Sequence, residues 1–303
     1  MNKLHISNDL ALPLDAITEK RIIVGSSGSG KTTTAIDLME EMLKAGLQVV
    51  AIDVKDELWG LRSGADGKSE GYPITILGGI HADAPLEYTA GKVIGEWIVQ
   101  EHASLILSIS QFSDGQRYRF MYDLLGYLIR RDSATATPLA LIIDEAHNIM
   151  PQEKQTKIMK DAEVQGRLVS ESMMLSLARR VTSEGRSKGI GLTLTTQSPA
   201  LIDKRVMNLC PVIIAHRTFG KNDFAAVQDW FKVWVRTKEQ MDIVMTKLPT
   251  LKKGEAIYYA PNEDEDGIFD INQGGIAGIT RPWLTSQGAI FNIILIIRRF
   301  FYG

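Results

Sequence analysis

The run Gly25 to Thr32, with the sequence GSSGSGKT, combines the residue types that bind the phosphates of a nucleotide. Glycines let backbone amides turn toward a polyphosphate, and the N-terminus of a following helix adds partial positive charge. In such a loop Lys31 reaches the β- and γ-phosphates, and Thr32 holds a magnesium ion. A flexible Gly/Ser turn that happens to end in Lys-Thr is the alternative interpretation.

The segments on either side of this run favour the phosphate-binding interpretation. Residues 21–24 (RIIV) are apolar and predict a strand. After the run, a helical spacing of apolar residues includes Ala35, Leu38, Met39 and Met42. Strand, glycine-rich loop and helix is the order of a P-loop motif, so the chain is expected to bind a nucleoside triphosphate.

An acidic pair, Asp144 and Glu145, follows the apolar run 139–143 (LALII). A continuous apolar run of this length is typical of a central strand that is buried on both faces. Carboxylates at the end of such a strand match a Walker B pair, in which Asp144 orders the magnesium shell and Glu145 polarises the attacking water. An ordinary solvated strand end is the alternative.

Gln197 ends another strand-like run, 192–196 (LTLTT). An amide at this place is able to hydrogen-bond the γ-phosphate or the attacking water, although a simple strand cap is the alternative. Upstream, Arg179, Arg180 and Arg186 lie on or beside a long helical pattern. An arginine offered to a neighbouring subunit's γ-phosphate would stabilise the transition state. From their spacing alone, these arginines fit a solvated basic face better.

The rest of the chain supplies the elements that must position these residues. Strand-like runs and helical patterns alternate, with strands predicted at 48–53, 104–109 and 212–215 and helices at 120–129 and 152–188. This alternation predicts an α/β fold with a mainly parallel sheet flanked by helices. We assign residues 1–266 to this domain, and residues 267–303 to a C-terminal appendage whose order is left open.

Composition excludes several other classes of protein. The chain has 303 residues, 45% hydrophobic and 23% charged, with a net charge of −2, which is typical of a globular protein. The single Cys210 lies in an apolar segment, so we expect a buried thiol and a reducing, cytoplasmic location. No signal peptide is visible, and the apolar run 289–297 is shorter than the about 20 residues of a membrane span. We therefore expect no membrane association.

Five segments together resemble the HerA branch of the HerA/FtsK superfamily of DNA-translocating ATPases. They are GSSGSGKTTT, AIDVKDEL, LIIDEAHNIMP, SEGRSKGIGLTLTTQSPALID and LPTLKKGEAIYY, in the family's order over about residues 20–260. The last two are the most specific. The resemblance implies a RecA-like P-loop NTPase core that uses ATP and Mg²⁺. It also implies a hexameric ring that moves along double-stranded DNA held in its central pore.

Several residue roles follow from this resemblance. Thr32 and Asp144 become the metal ligands, Glu145 the catalytic base and Gln197 a sensor of the γ-phosphate. The residues expected to bind the nucleotide are Gly25, Ser27, Gly28, Ser29, Gly30, Lys31, Thr32 and Thr33.

The resemblance also implies contacts between subunits and with partners. Arg186 becomes the expected arginine finger that acts on the neighbouring subunit, with Arg180 as a second candidate. Many family members work beside a nuclease or another effector in DNA processing or defence against phage. The founding members carry an N-terminal β-barrel that contacts the nuclease, whereas 24 residues precede Gly25 here. We therefore expect a HerA-like ATPase without this barrel.

Two alternatives to a translocating motor concern the class of ATPase. Residues 144–147 spell DEAH, which also marks a class of RNA and DNA helicases. Those helicases need a second RecA-like domain and a Ser-Ala-Thr motif downstream, and the sequence contains neither. A nucleotide-dependent switch or scaffold that assembles with an effector, without translocation, stays open.

Contact with DNA has the weakest signal in the sequence. Basic residues that follow the acidic pair or the Gln197 strand are candidates for a pore, and ordinary surface positions are the alternative. They are Lys154, Lys157, Lys160, Lys204 and Arg205.

Overall fold

The computed structural model describes residues 3–6, 11–64, 66–152, 169–235, 237–260 and 276–278. Of residues 276–278, it describes the backbone alone. Its strands are β1 (Lys3–His5), β2 (Ala11–Pro13), β3 (Lys20–Val24), β4 (Gln48–Asp53), β5 (Thr75–Leu77), β6 (Leu105–Ser108), β7 (Leu139–Ile143), β8 (Ile190–Thr196), β9 (Val212–His216), β10 (Glu255–Tyr259) and β11 (Ile276–Gly278). Its helices are α1 (Lys31–Lys44), α2 (Gly91–Glu101), α3 (Asp114–Leu128), α4 (Glu171–Glu184), α5 (Lys204–Asn208), α6 (Lys221–Trp234) and α7 (Lys238–Lys247).

One large sheet organises the described residues, in the order β11-β10-β9-β3-β8-β7-β4-β6-β5. The strands from β9 to β5 in this order run parallel, whereas β10 is antiparallel to β9 and β11 to β10. The predicted α/β class and mainly parallel sheet are confirmed. All carboxyl ends of the parallel strands therefore lie at one edge of the sheet, called the C-terminal edge below, and their starts form the N-terminal edge.

Alternate residues of the central strands pack into two separate apolar layers. In β3, Ile22 and Val24 join the layer that contains residues of α2, α3, α4 and α6, whereas Ile23 faces the layer that contains residues of α1 and of β1 and β2. Both faces of the strand are thus buried, which explains why its residues 22–24 are all apolar. The sheet is a rigid support on which residues at strand ends keep fixed positions.

The predicted strands agree with those of the structure to within two residues at each end. The helix predicted at 120–129 extends back to Asp114, because Ser113 and Gln116 form a capping box there. Of the helix predicted at 152–188, α4 occupies Glu171–Glu184 and a short 3₁₀ turn occupies Gly185–Lys188. Residues 153–168, with Lys154, Lys157 and Lys160, lie outside the described residues.

The C-terminal part of the chain contributes the outer strands on one side of the sheet. Strand β10 pairs with β9, and β11, which lies beyond the predicted domain boundary at residue 266, pairs with β10. The apolar run 289–297 lies outside the described residues. Among the helices that are described, none has the length and apolar character needed to cross a membrane.

Candidate nucleotide-binding site

The loop between β3 and α1 has the backbone conformation of a phosphate cradle. Gly25, Gly28 and Gly30 have φ values of 153°, 72° and 120°, which side chains other than glycine rarely allow. A Cβ atom on Gly25 would lie 2.6 Å from the Cβ atom of His216. All three glycines are favoured by their backbone conformation, and Gly25 is also required by space, which fits an ordered loop better than a flexible Gly/Ser turn.

Helix α1 begins at Lys31, so its N-terminus points its first amides at the space above the loop. The Lys31 ammonium group donates a hydrogen bond to the carbonyl oxygen of Ser26 at 3.1 Å, which keeps the side chain over the loop. Burial lowers the pKa of Lys31, although the nearby Glu145 carboxylate opposes that shift. A phosphate group at this place would supply the negative charge that the buried ammonium group favours. Thr32 and Thr33 follow in the first turn of α1.

Neighbouring segments hold the phosphate loop from beneath. The amide of Ser26 donates to the carbonyl of Arg217 at 2.9 Å, and the amide of Gly254 donates to the carbonyl of Ser29 at 2.9 Å. These bonds tie the loop to the segment after β9 and to the turn before β10. The LKKGEAIYY segment of the sequence thus contributes directly to the site, as a support for the loop.

His216, at the end of β9, is fully buried below the loop. Its Nδ1 lies 3.0 Å from the carbonyl oxygen of Glu255, and its Nε2 lies 2.8 Å from the hydroxyl of Thr34. Burial and the charge of Lys31 lower the pKa of His216 to about 4, so the ring is neutral near pH 7. Since a carbonyl only accepts, Nδ1 must carry the proton and Nε2 must accept from Thr34.

Asp144 and Glu145 follow β7 directly, at the C-terminal edge. The Asp144 side chain is buried, and its Oδ1 accepts a hydrogen bond of 2.5 Å from the hydroxyl of Thr195. Burial raises the pKa of Asp144 to about 7. A divalent cation beside this carboxylate would offset that cost, because an adjacent positive charge favours the ionised form. The Thr32 hydroxyl and the Asp144 carboxylate are oxygen ligands of the kind that Mg²⁺ prefers.

Glu145 is held by contacts on its backbone and on both carboxylate oxygens. Its backbone has a φ of 45°, in the left-handed region, and its amide donates to the Thr195 hydroxyl at 3.1 Å. Oε1 forms an ion pair with the ammonium group of Lys55. Oε2 accepts from the backbone amide of Gln197 at 3.2 Å and lies 3.3 Å from Nδ1 of His147. The side chain is only 4% exposed, so its orientation is fixed.

Gln197 follows β8, which lies between β3 and β7 in the sheet. Thr196 is the register partner of Val24, so Gln197 lies at the same level of the sheet as Gly25, the first residue of the loop. The contact to Glu145 comes from the Gln197 backbone, while its side chain is half-buried at the same edge. The structure therefore brings the phosphate loop, the acidic pair and Gln197 together on three adjacent strands.

The arginines lie elsewhere. Arg186 is exposed in the turn before β8, at the N-terminal edge of the sheet. The seven residues of β8 separate it from Gln197, which corresponds to about 20 Å or more of extended strand. Arg180 is also exposed and pairs with Glu184 at 3.0 Å. Arg179 instead forms a two-fold contact with the carboxylate of Asp203, which joins α4 to α5.

Other residues singled out from the sequence have simpler environments. Cys210 is buried and donates to the Val206 carbonyl at 3.5 Å, and burial raises the pKa of its thiol to about 12. The expectation of a buried, unreactive thiol agrees with this position. Lys204 and Arg205 are exposed at the start of α5.

Three residues of the site were not identified from the sequence. Thr195 connects the two acidic residues, Lys55 pairs with Glu145, and His216 supports the loop. A weak signal exists for each, since each is polar and lies within or directly after an apolar strand-like run. Polar residues in such places need partners, although the sequence does not indicate which partners they have.

Comparisons with known proteins place this geometry in a family. The family model described as "Helicase HerA, central domain" matches residues 4–169, which is more than half of the chain. A curated relative, the probable helicase MJ1565 of Methanocaldococcus jannaschii, is 26% identical over 126 residues. That match covers 42% of this chain and 20% of the relative, so the chain corresponds to about a fifth of that longer protein.

One of two similar solved structures supports the fold. The bacterial conjugative coupling protein TrwBdeltaN70 superposes with a TM-score of 0.60 at 10% identity, over 94% of this chain and 91% of that chain. The genome packaging NTPase B204 of Sulfolobus turreted icosahedral virus 2, in complex with ATP-gammaS, is also similar, with a TM-score of 0.48 at 16% identity, over 80% of this chain and 93% of that chain. Because the family model matches more than half of its residues, the chain belongs to the family of helicase HerA central domains.

Proposed function

We propose that this chain is the ATP-hydrolysing motor of a HerA-type DNA translocase. The observation that carries the proposal is the division of the site between the two edges of the sheet. Phosphate-binding and water-activating residues gather at the C-terminal edge, whereas Arg186 is exposed at the opposite edge. A protomer arranged in this way needs a neighbour to complete its site, which is the arrangement of a ring-shaped ATPase.

In this proposal the residues at the C-terminal edge bind ATP and prepare it for attack. Loop residues Gly25 to Gly30 and the first turn of α1 hold the phosphates, with Lys31 on the β- and γ-phosphates. Thr32 and Asp144 hold Mg²⁺, which neutralises charge on the phosphate oxygens when it is bound. Glu145 accepts a proton from the attacking water, and Gln197 lies next to it as the sensor of the γ-phosphate.

Arg186 completes the neighbouring site. Its distance of about 20 Å from its own C-terminal edge prevents it from reaching its own phosphate loop. Presented by an adjacent protomer, the guanidinium group would stabilise the charge that develops on the transferred phosphoryl group. We therefore propose a homo-hexameric ring in which each site uses Lys31 and Glu145 from one protomer and Arg186 from the next. Arg180, which is engaged with Glu184, is the weaker candidate.

We propose that the motor moves along double-stranded DNA. A nuclease or another effector is its proposed partner in DNA processing or defence against phage. The proposed ATPase domain covers residues 1–266, and the proposed appendage, residues 267–303, adds β11 to its sheet. A cytoplasmic location suits these roles.

Exposed Lys204 and Arg205 are candidate contacts to the DNA backbone. Contacts of this kind make binding steeply dependent on salt, because phosphate contacts release counterions.

The decisive experiment measures mass and turnover on the same preparation. Native mass spectrometry with ATP and long duplex DNA is expected to detect a hexamer, and DNA is expected to stimulate the ATPase rate. A chain that stays monomeric under these conditions and still hydrolyses ATP at its full rate would contradict the motor. A hexamer whose ATPase rate ignores DNA would instead favour an ATP-dependent assembly switch.

A further inference from the structure

Lys55 contacts Glu145 of the acidic pair, although Lys55 follows β4 and Glu145 follows β7. It lies two residues beyond the end of β4, and its ammonium group forms an ion pair and hydrogen bond with Oε1 of Glu145. The Lys55 side chain is 38% exposed, whereas that of Glu145 is 4% exposed. A charged pair with one buried member is more than a surface salt bridge, because the buried carboxylate has little access to water.

The backbone that carries Lys55 is fixed by a buried carboxylate. Asp53, at the end of β4, is 1% exposed. Its Oδ1 accepts from the amide of Lys55 at 3.1 Å, and its Oδ2 accepts from the amide of Leu58 at 2.8 Å. Both oxygens of one side chain therefore shape the turn that follows the strand.

A second loop locks the same turn from the other side. Asp56 has a φ of 62°, and its Oδ2 accepts from the amide of Ile80 at 2.9 Å. Gly79 leaves no room for a side chain, because a Cβ atom there would overlap the Asp56 carboxylate. A left-handed aspartate is strained and persists only when its surroundings hold it. The turn thus presents Lys55 in a defined position rather than on a mobile loop.

The partners of Glu145 divide its two oxygens. Lys55 holds Oε1, while the backbone amide of Gln197, at 3.2 Å, and Nδ1 of His147, at 3.3 Å, contact Oε2. The amide comes from a strand end and the His147 ring also contacts the Thr196 hydroxyl, so the contact of Lys55 is the one that holds Oε1. Lys31, the other nearby ammonium group, is engaged with the Ser26 carbonyl. Without Lys55, Oε1 of the buried Glu145 carboxylate would lose its ion-pair partner.

We propose that Lys55 is a positioning residue, whose ion pair with Glu145 aims the carboxylate of the proposed base at the attacking water. This inference rests on the proposed function, because it assigns Lys55 a role in the same hydrolytic site. A positioned base contributes to the chemical step and little to the binding of ATP. Lys55 is therefore expected to affect kcat far more than KM.

The test compares Lys55→Met and Lys55→Arg with the unchanged chain, in the presence of ATP, Mg²⁺ and duplex DNA. We expect Lys55→Met to lower kcat by about 10- to 100-fold, with KM for ATP changed by less than about threefold. Lys55→Arg keeps the positive charge and should recover most of the rate. Lys44→Met is the matched control, since Lys44 forms an ion pair with Glu41 at 3.5 Å at the far end of α1.

A second comparison tests whether Lys55 acts through Glu145. In the Glu145→Gln background, Lys55→Met is expected to cause no further loss of turnover, because the carboxylate that it positions is already absent. Thermal unfolding of the four ligand-free chains (unchanged, each single variant and the double variant) checks the contact without relying on activity. The Tm loss of the double variant should be smaller than the sum of the two single losses.

The outcomes separate this inference from the function on which it rests. An unchanged or raised kcat in Lys55→Met, a full additional loss in the Glu145→Gln background, or no recovery in Lys55→Arg would each overturn it while ATP hydrolysis stands. Additive Tm losses would also overturn it. An unchanged chain that fails to hydrolyse ATP under any of these conditions would overturn the proposed function, and the role of Lys55 would fall with it.

Discussion

The two edges of the sheet differ in how their polar residues are held. At the C-terminal edge, Lys31, Asp144 and Glu145 are buried, and each contacts at least one partner within the protein. At the N-terminal edge, Arg186 is exposed in a short turn. Residues at the first edge are prepared for a ligand, whereas Arg186 is free to meet another surface. If Arg186 acts on a neighbouring protomer as we propose, each chain supplies parts of two different sites, and the experiments below test that difference between the edges.

The largest effect is expected for Lys31→Ala. Loss of the charge that faces the β- and γ-phosphates should weaken ATP binding by about 100-fold or more and abolish turnover. Titration with a fluorescent ATP analogue measures the first, and phosphate release measures the second. Lys44→Ala, at the other end of α1, is the control. Near-normal ATP affinity in Lys31→Ala would show that the loop is not the phosphate site.

Arg186→Ala tests the opposite edge. We expect about a 1,000-fold or greater loss of kcat with ATP affinity nearly unchanged, because an arginine finger acts on the transition state. Arg180→Ala, which removes an exposed arginine of α4, is expected to have little effect.

Mixing variants asks whether the two halves belong to different protomers. Arg186→Ala subunits mixed with Glu145→Gln subunits should regain part of the activity. Some interfaces then combine an intact Glu145 from the first variant with an intact Arg186 from the second. If no mixing ratio restores turnover, Arg186 does not act on the neighbouring site.

Glu145→Gln tests the proposed base. The amide keeps the shape of the side chain but cannot accept the proton, so kcat should fall by about 100-fold or more. ATP affinity should stay within about threefold, and the variant should accumulate in its ATP-bound form. Nucleotide binding and phosphate release on one preparation measure both effects. A variant that retains more than about half of its turnover would exclude Glu145 as the base.

Thr195→Val removes the hydroxyl that connects Asp144 and Glu145. We expect about a tenfold fall in kcat and a loss of about 1–3 kcal/mol of unfolding free energy, because buried partners lose a hydrogen bond. Thr193→Val is the control, since Thr193 is also buried and lies two residues earlier in β8. Equal effects of the two changes on turnover would indicate general packing rather than support of the acidic pair.

The smallest effect on activity is expected from His216, which acts through stability. Its pKa is about 4 in the folded protein and 6.5 in the unfolded chain, so only the unfolded chain gains a proton between these values. This residue should therefore lower the unfolding free energy by about 1.4 kcal/mol per pH unit as the pH falls from 6.5 toward 4. Denaturant unfolding at several pH values measures the slope. His216→Gln should reduce it, and an unchanged slope would contradict the assignment.

Much of this molecule follows from local sequence pattern, and the rest depends on contacts between distant segments. The loop between β3 and α1 was predictable because its glycines lie in one short run between an apolar segment and a helical pattern. Gln197 and Glu145 were predictable as strand ends, since the register of parallel strands brings such ends together. Lys55 was not, because its role depends on a contact to a residue 90 positions away.

Short strands were missed for a related reason. Strands β1, β2 and β5 have three residues each, which is too short for a periodic pattern. Their places in the fold are decided by pairing partners. His216 shows the same limit, because its Nδ1 contacts the carbonyl of Glu255, 39 residues later.

The anchoring of the phosphate loop by Arg217 and Gly254 has a consequence for affinity. Because amide-to-carbonyl bonds already set its shape, the loop does not have to be ordered when a nucleotide binds. The entropy that a disordered loop would lose on binding is instead lost during folding. The free energy of each phosphate contact therefore contributes to the binding affinity and is not offset by ordering of the loop. The expected kinetics are those of rapid binding in a single step.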